Sequence, residues 1–320
     1  MGLRPKAILS WSSGKDSAWT LHVLRQQGDV DVVALLTTVN QVHDRVAMHA
    51  VRSGLLRAQA EAAGVPLWPV PIPSPCSNAQ YEAAMSAALE QARVSGITVA
   101  AFGDLFLEDI RQYREAKMAG TGIEPVFPIW GIPTDALARE MISGGLRARL
   151  TCVDPKQLAP SFAGREFDVA LLNELPATVD PCGERGEFHT FAYEGPMFQH
   201  PVAVEPGEVI ERDGFVFADL VPGGQPVSAG AATRPYPAAG IAALPGRRAS
   251  SAFAGRAGVS ATIRMLDMLL FSRTPGVSVS RGCHHKGGWK KAPKPSSRPD
   301  LRSSVCSRPR SAKMATVCRL

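Results

Sequence analysis

The chain has 320 residues, enough for one large or two modest globular domains. Its net charge of +6 combines −9 over residues 1–220 (18 Lys and Arg against 27 Asp and Glu) with +15 over residues 221–320 (17 against 2), so each region needs its own charge argument. Six cysteines without a C-x-x-C pair exclude a zinc ribbon and a thioredoxin-type site, and every apolar run is too short to span a bilayer. We therefore expect a reduced, cytoplasmic protein without a membrane partner.

Strand-like and helix-like segments alternate through the first half of the chain. Short apolar runs predict strands at 7–10, 31–37, 67–71, 98–102, 124–128 and 147–153. Helical spacing predicts helices at 17–27, 50–63, 78–95, 107–119 and 134–142. This alternation predicts an α/β fold in which helices flank a parallel sheet and ligands bind where the strands end. We assign residues 1–154 to this domain.

Beyond residue 154 the alternation weakens. A helical piece at 167–174 and strands at 188–193 and 214–220 predict a small α+β lobe over residues 155–220, which closes over the site. Residues 221–320 are rich in Pro, Gly and Ser without apolar periodicity, which predicts a disordered basic tail. That tail either binds nucleic acid through phosphate contacts or is an extension without function; we favour the extension, because aromatic stacking residues are sparse there.

A loop of small polar residues, SSGKDS at 12–17, lies between the first strand and the first helix. Backbone N–H groups of such a turn, together with the partial positive charge of a helix N-terminus, bind phosphate. Gly14 permits close approach of the backbone, and Lys15 supplies a positive charge. Hydroxyl donors come from three serines, Ser12, Ser13 and Ser17. The loop is not a Walker A sequence, and an ordinary strand-to-helix turn is the alternative interpretation.

A second dense cluster of chemical groups is DPCGERGEFHTF at 180–191. Its candidate residues for substrate binding are Gly183, Glu184, Gly186, Glu187 and His189. Glu184 and Glu187 could accept hydrogen bonds from an amine-bearing substrate or help to hold Mg²⁺, and a charged hairpin loop is the alternative. His189 fits strand packing as well as a site, and the lone Cys182 suits a structural role better than a nucleophile.

The first loop resembles the SGGKDS loop of the ATP pyrophosphatases, which cleave ATP to AMP and pyrophosphate, with Ser13 at the position of that family's first glycine. Together, the two motifs resemble the diphthine–ammonia ligase family and its bacterial relatives, which have a HUP-like, adenine nucleotide α-hydrolase-like fold. The resemblance covers about residues 5–220. It implies a nucleotide-binding domain at 1–154 and a substrate-binding lobe at 155–220, and it does not cover the tail.

The resemblance also implies an activity, an ATP-dependent and AMP-forming amide ligase. A carboxylate, carried by a protein in the named family, attacks ATP; pyrophosphate leaves, and ammonia then displaces AMP. Pyrophosphate would lie at 12–17, with Mg²⁺ near Asp16 and with Gly103 and Asp104 bordering the nucleotide. The implied catalytic residues are Lys15, Asp16, Glu184 and Glu187. The residues implied to face the acceptor or ammonia are Glu184, Glu187 and His189.

The sequence leaves two other functions open. An ATP pyrophosphatase that modifies tRNA, by thiolation or lysidine formation, is favoured slightly by the basic tail. Thiolation enzymes usually carry paired cysteines or zinc motifs, which this sequence lacks. A non-catalytic nucleotide-binding module is the third option, and the intact Lys15, Asp16 and Ser17 argue against it. A homodimer is a candidate assembly.

Overall fold

The structure is a computed structural model that describes residues 3–40, 45–46 and 51–224. The predicted tail lies outside the described residues from position 225 onward. The strands are β1 (Lys6–Ser10), β2 (Asp31–Asn40), β3 (Arg45–Val46), β4 (Leu67–Ile72), β5 (Ile97–Ala101), β6 (Glu124–Val126), β7 (Arg147–Val153), β8 (Phe188–Glu194), β9 (Val204–Arg212) and β10 (Phe215–Pro222). The helices are α1 (Lys15–Gln27), α2 (Ser53–Ala63), α3 (Asn78–Val94), α4 (Glu108–Met118), α5 (Thr134–Ser143) and α6 (Val169–Glu174).

Within the described residues, the first half of the chain forms a five-stranded parallel sheet in the order β4-β2-β1-β5-β6. The short β3 pairs with the end of β2 in the antiparallel sense. β1 is central, and its residues Ala7, Ile8 and Leu9 are at most 3% exposed. A strand between two neighbours and covered on both faces is expected to be apolar throughout. The predicted α/β fold with a parallel sheet and flanking helices is confirmed.

The helices begin and end where local chemistry favours it. α1 and α2 stop at Gly28 and Gly64, whose φ angles of +69° and +65° suit glycine and little else. α3 begins with a capping box in which the Ser77 hydroxyl accepts from the Gln80 amide and the Gln80 side chain accepts from the Ser77 amide. Within the described part of the chain, no helix is long and apolar enough to cross a membrane.

The second half forms a four-stranded antiparallel sheet in the order β8-β7-β10-β9. The alternating pattern placed the strand at 147–153 in the parallel sheet, and this was wrong: β7 pairs with β8 and β10 instead. The apolar run of β7 suits a buried strand in either sheet. Its partners lie 35 or more residues further along the chain, so periodicity alone does not identify them.

The strand β9 was not predicted, since Pro206, Gly207 and several glutamates interrupt its apolar pattern. It is the exposed edge of the second sheet and forms a hairpin with β10. The turn is Asp213-Gly214, with φ of +54° and +80°. Positive φ at both central residues is typical of the tight turn for which Asp-Gly is a strong signal. That dipeptide was the sequence signal for β9.

One hydrophobic core joins the two sheets. Leu21 of α1 and Leu55 of α2 belong to the same buried cluster as Leu150 of β7 and Phe191 of β8. A second cluster, which includes Leu89 and Met118, lies between the parallel sheet and helices α3 and α4. The antiparallel sheet therefore packs on the face of the parallel sheet that carries α1 and α2, and β8 comes to lie beside the start of α1.

Candidate active site at the start of the first helix

The loop at 12–17, which we call the phosphate loop after its predicted ligand, leads from β1 into the first turn of α1. Ser13 adopts a left-handed conformation with φ of +70°, and Gly14 is the N-cap of α1. The hydroxyls of Ser12 and Ser17 lie 3.2 Å apart, and the Ser17 hydroxyl donates to the Gly14 carbonyl at 3.0 Å. The first amides of α1 have no intrahelical acceptor, so this helix end favours an anion.

The second sheet fixes the shape of this loop. The Ser13 carbonyl accepts from the Ala192 amide and from the Gln59 side chain, both at 3.0 Å. The Lys15 amide donates to the Thr190 hydroxyl at 3.1 Å. Gln59 is fully buried and also accepts from the Trp11 indole at 3.0 Å. The loop is therefore held from α2 and β8 at once.

The loop after β5 lies against the first turn of α1. A Cβ atom on Gly103 would come within 3.1 Å of the Asp16 carbonyl carbon and oxygen and 3.0 Å of the Thr20 hydroxyl, so only glycine fits without movement. Its neighbour Asp104 forms an ion pair with Arg114 of α4, with Nη2 3.0 Å from Oδ1. Gly103 therefore borders the phosphate loop directly, whereas the Asp104 carboxylate is engaged by Arg114.

The loop at 180–187 is held together by two buried carboxylates. Asp180 Oδ1 accepts from the amides of Cys182 and Glu184 at 2.9 and 3.3 Å. Glu187 is 1% exposed, and its two oxygens accept from the amides of Asp180 and Arg185, both at 2.9 Å. These contacts give Glu187 a part in shaping the loop, and its predicted contact with an acceptor stays a prediction.

Two glycines permit the turns of this second loop. Gly183 and Gly186 have φ of +71° and +85°. A Cβ atom on Gly183 would lie 2.8 Å from the Phe188 carbonyl oxygen and 3.1 Å from the Phe188 ring. Glycine is therefore required at 183 both by conformation and by space. This compact turn leaves the Glu184 side chain facing the loop after β5.

Lys15 connects the two motifs. Its ammonium group, on a side chain only 2% exposed, donates to the Asp16 carboxylate at 2.8 Å and to the Cys182 carbonyl. It also lies 5.4 and 5.6 Å from the ring centroids of Phe167 and Phe188. Burial is the largest single effect and opposes the charge, but the Asp16 carboxylate together with the other nearby acidic groups raises the pKa of Lys15. The side chain is therefore an ammonium ion enclosed by a carboxylate, a carbonyl and two aromatic faces.

The acidic and basic groups around Lys15 have shifted pKa values. Burial, with the nearby Asp16 carboxylate, raises the pKa of Glu184 to about 8, and its Oε1 accepts from the Leu105 amide at 2.8 Å. Burial and the Lys15 ammonium lower the pKa of His189 to about 4, so this imidazole is neutral at pH 7. Burial also raises the pKa of the Cys182 thiol, which fits a structural role better than a nucleophile.

The structure brings most of the predicted site residues together. The loops at 12–17, 103–105 and 180–187 meet at the start of α1. Sequence reasoning missed Thr190 and the aromatic pair Phe167 and Phe188. Thr190 lies inside the second motif, so the motif itself was the signal. Phe167 lies far from both motifs in the chain, and nothing in its sequence neighbourhood indicates its place beside Lys15.

Two family models match this chain. The diphthamide synthase N-terminal domain matches residues 5–121, and the diphthamide synthase C-terminal domain matches residues 133–217. Together they cover more than half of the chain. The chain belongs to the diphthamide synthase family. The N-terminal match contains the phosphate loop and the loop after β5, and the C-terminal match contains the second motif, so both halves of the site lie in family domains.

Three curated relatives of this diphthamide synthase family member are diphthine–ammonia ligases. The chain is 31% identical over 138 residues to the diphthine–ammonia ligase of Danio rerio, covering 41% of this chain and 52% of the relative. It is 31% identical over 137 residues to that of Homo sapiens, covering 41% and 50%. It is 27% identical over 243 residues to that of Bos taurus, covering 68% and 89%. The chain spans about half the length of the first two relatives.

Proposed function

We propose that this protein is an ATP-dependent, AMP-forming amide ligase that joins ammonia to a carboxylate. The observation that carries the proposal is the contact between the two motifs: Lys15 of the phosphate loop reaches the Cys182 carbonyl, and its amide reaches Thr190. The loop at 12–17 of the N-terminal family domain thus contacts the loop at 180–187 of the C-terminal family domain, which supports a shared site for two substrates. Diphthine is the substrate named for the relatives, and it is the first acceptor to test.

The proposed chemistry has two steps. The acceptor carboxylate attacks the α-phosphorus of ATP, the bond to the β-phosphate oxygen breaks, and pyrophosphate leaves with those electrons. Ammonia then attacks the acyl carbon of the adenylate, and the bond to AMP breaks. Backbone amides at the start of α1, with the hydroxyls of Ser12 and Ser17, hold the pyrophosphate through charge-assisted hydrogen bonds. Lys15 would add a positive charge to the leaving pyrophosphate.

Glu184 is the residue best placed to accept a proton from the incoming ammonium. Its carboxylate lies beside the loop at 103–105 and near Asp16, and a pKa of about 8 suits a base that works near neutral pH. The neutral His189 would face the acceptor side of the same site. Glu184 therefore has a proposed catalytic role that does not depend on contact with ATP.

Mg²⁺ is a further part of the proposal. Among the described residues no cluster of three or more metal-ligating side chains occurs, which fits a magnesium ion carried mainly by phosphate oxygens and water. Asp16, at the start of α1 and one quarter exposed, is the residue that would hold it. Bound there, the ion would neutralise charge on the departing pyrophosphate.

The test follows the fate of labelled ATP. We expect the full chain with ATP, MgCl₂, ammonium and a diphthine-bearing substrate to release AMP and pyrophosphate and to form an amide that mass spectrometry detects. The variant Glu184→Gln should bind ATP with wild-type affinity in calorimetry while amide formation falls. The exposed Glu90→Gln should match the wild type in both assays.

Three outcomes would contradict the proposal. Release of ADP instead of AMP would exclude cleavage between the α- and β-phosphates. AMP release that requires tRNA and not a carboxylate would favour the tRNA-modifying alternative. Absence of ATP binding by the full chain would contradict the proposal that the loop at 12–17 binds phosphate.

A further inference from the structure

We propose that the enclosure now filled by the Lys15 ammonium is the binding site for the substrate ammonium ion, which enters after ATP draws Lys15 onto its phosphates. We call this enclosure the ammonium site; it consists of the Asp16 carboxylate, the Cys182 carbonyl and the rings of Phe167 and Phe188. The inference rests on the proposed function, since it names where that reaction's nitrogen donor binds.

The chemistry of the ammonium site matches a small cation that donates hydrogen bonds. A carboxylate and a carbonyl supply acceptors on one side, and two aromatic faces supply the negative side of their quadrupoles on the other. The rings of Phe167 and Phe188 are both 2% exposed, with centroids 6.5 Å apart, so the site is dry and of fixed width. In this structure the primary ammonium group of Lys15 already occupies the ammonium site and makes these contacts.

Two roles for Lys15 are reconciled by this proposal. The position of Lys15 in SSGKDS predicts contact with pyrophosphate, whereas its ammonium group here lies among Asp16, Cys182 and the aromatic pair. As the first residue of α1, Lys15 can turn its side chain from that enclosure towards an anion at the helix start. A bound triphosphate supplies the attraction for this change, and the emptied site then attracts a second cation.

The placement also suits the reaction. Glu184 lies on the same loop as the Cys182 carbonyl, two residues along, and its Oε1 accepts from the Leu105 amide at 2.8 Å. Ammonium in the site gives one proton to the Glu184 carboxylate and becomes ammonia. The ammonia lone pair attacks the acyl carbon, the electrons of the acyl–oxygen bond leave with AMP, and a second proton passes from nitrogen to solvent. Both Asp16 oxygens accept from the ammonium group of Lys15 in this structure, at 2.9 and 2.8 Å.

The first experiment empties the site without nucleotide. The variant Lys15→Ala removes the equivalent of a propylammonium ion, so propylammonium chloride should raise its Tm in a dose-dependent way relative to NaCl at equal ionic strength, and ammonium chloride should do so more weakly. Tetramethylammonium, which has no N–H donor, should not. The exposed Lys156→Ala serves as the matched control and should respond to none of these salts. If Lys15→Ala misfolds, Lys15→Met retains most of the side-chain volume but is one heavy atom shorter, so it leaves the position of the ammonium group open and should respond to ammonium.

The second experiment uses the wild-type chain. The line width of ¹⁵N-ammonium in NMR spectra should increase on binding only when a non-hydrolysable ATP analogue is present, and Asp16→Asn should abolish the effect. Equal broadening with and without the analogue would overturn the proposal, as would an unchanged Tm of both Lys15 variants in every ammonium salt. Failure of the analogue to bind in calorimetry would contradict the proposed function instead, while the Lys15→Ala experiment would still decide whether the site accepts ammonium.

Discussion

Ser13 carries an unfavourable conformation at the centre of the site. Its φ of +70° lies in the left-handed region that disfavours any side chain with a Cβ atom, and its buried hydroxyl has no hydrogen-bond partner among the described residues. Its carbonyl is fixed by Ala192 and Gln59, which limits how far the backbone can relax. A serine where the resembling loops have glycine is therefore a local cost in stability.

We expect Ser13→Gly to stabilise the protein by about 1 kcal/mol, because it removes the left-handed strain and the unpaired hydroxyl while adding some entropy to the unfolded chain. Urea unfolding followed by circular dichroism measures the change. Ser95→Gly, at an exposed helix end with φ of −79°, should lower stability slightly. A Ser13→Gly variant no more stable than the wild type would show that the strain is compensated elsewhere.

A substitution at Glu187 distinguishes a structural role of its carboxylate from a role in the reaction. In Glu187→Gln one oxygen becomes an NH₂ group, which then faces a backbone N–H donor, so we expect a loss of about 2–4 kcal/mol in the free energy of unfolding. Thermal unfolding measures it. Wild-type stability with lost amide formation would support instead the predicted contact with the acceptor. Exposed Glu61→Gln provides the reference for a neutral substitution.

The raised pKa of Glu184 predicts a pH dependence of folding. The folded state holds this proton up to a pH of about 8, whereas an unfolded carboxyl releases it near pH 4.5. The folded state therefore binds more protons between these values, and this contribution to stability is lost as the pH rises towards 8. We expect the Tm of the wild type to fall more steeply than that of Glu184→Gln between pH 5 and 8.5.

The control for this pH profile is Glu174, which pairs with Arg165 on the surface. That hydrogen bond lowers the pKa of Glu174, so its contribution is lost only as the pH falls. Glu174→Gln should therefore leave the slope above pH 5 unchanged. Identical slopes for wild type and Glu184→Gln would place the Glu184 carboxyl in contact with water.

At the scale of elements, α2 is the support of the phosphate loop. Gln59 of α2 bonds to Trp11 at the end of β1, to Ser13 in the loop and to Ala192 in β8. One side chain thus satisfies buried groups of three residues in two separate segments. Because β1 and β8 belong to different sheets, the loop keeps its shape only while α2 and both sheets stay packed together.

The variant Gln59→Leu should cost about 3–5 kcal/mol of unfolding free energy, because it removes the acceptor of the buried Trp11 indole N–H and one donor from each of the Ser13 and Ala192 carbonyls. It should also weaken ATP binding in calorimetry, since the Ser13 carbonyl then keeps only the Ala192 amide. The exposed Gln112→Leu on α4 should change neither quantity measurably. Intact ATP affinity in a destabilised Gln59→Leu protein would show that the loop holds its shape without α2.

At the scale of the whole molecule, the second sheet ends close to the start of the predicted basic tail. β10 runs to Pro222, and the Gly223 amide donates to the Ala203 carbonyl, so the second sheet is complete within the described residues. A chain that ends at residue 224 should keep the Tm and AMP release of the full chain. Any salt-sensitive binding of the full chain to RNA should fall, because the net charge of +15 over residues 221–320 is lost.

A second truncation serves as the control. A chain that ends at Arg212 lacks β10, whose Val216, Ala218 and Leu220 are at most 5% exposed, and it should not fold. Insolubility of the 224-residue chain under conditions where the full chain is soluble would assign a packing role to the region beyond it.

The sequence predicted those features that depend on neighbours in the chain. The apolar run of β1, the end of α1 at residue 27 and the loop at 12–17 between these two elements are all local patterns, and each lies where it was expected. The membership of β7 in the second sheet and the place of Phe167 beside Lys15 depend on packing between distant segments, which periodicity does not encode. The second motif predicted a role for Glu187 in substrate binding. It did not predict that the Glu187 carboxylate accepts from the amides of Asp180 and Arg185.

The loop at 180–187 is held largely by hydrogen bonds between its own residues, and this has a consequence for its evolution. Asp180 and Glu187 hold its backbone from within, and only the Cys182 carbonyl and the Glu184 side chain reach the nucleotide side. Arg185, exposed and stacked over Phe106 at 5.1 Å, takes no part in that framework through its side chain. Mutations at such outward positions should leave the contacts that hold this loop intact. Under the proposed function, a lineage could therefore change its acceptor through these positions without losing the proposed active site.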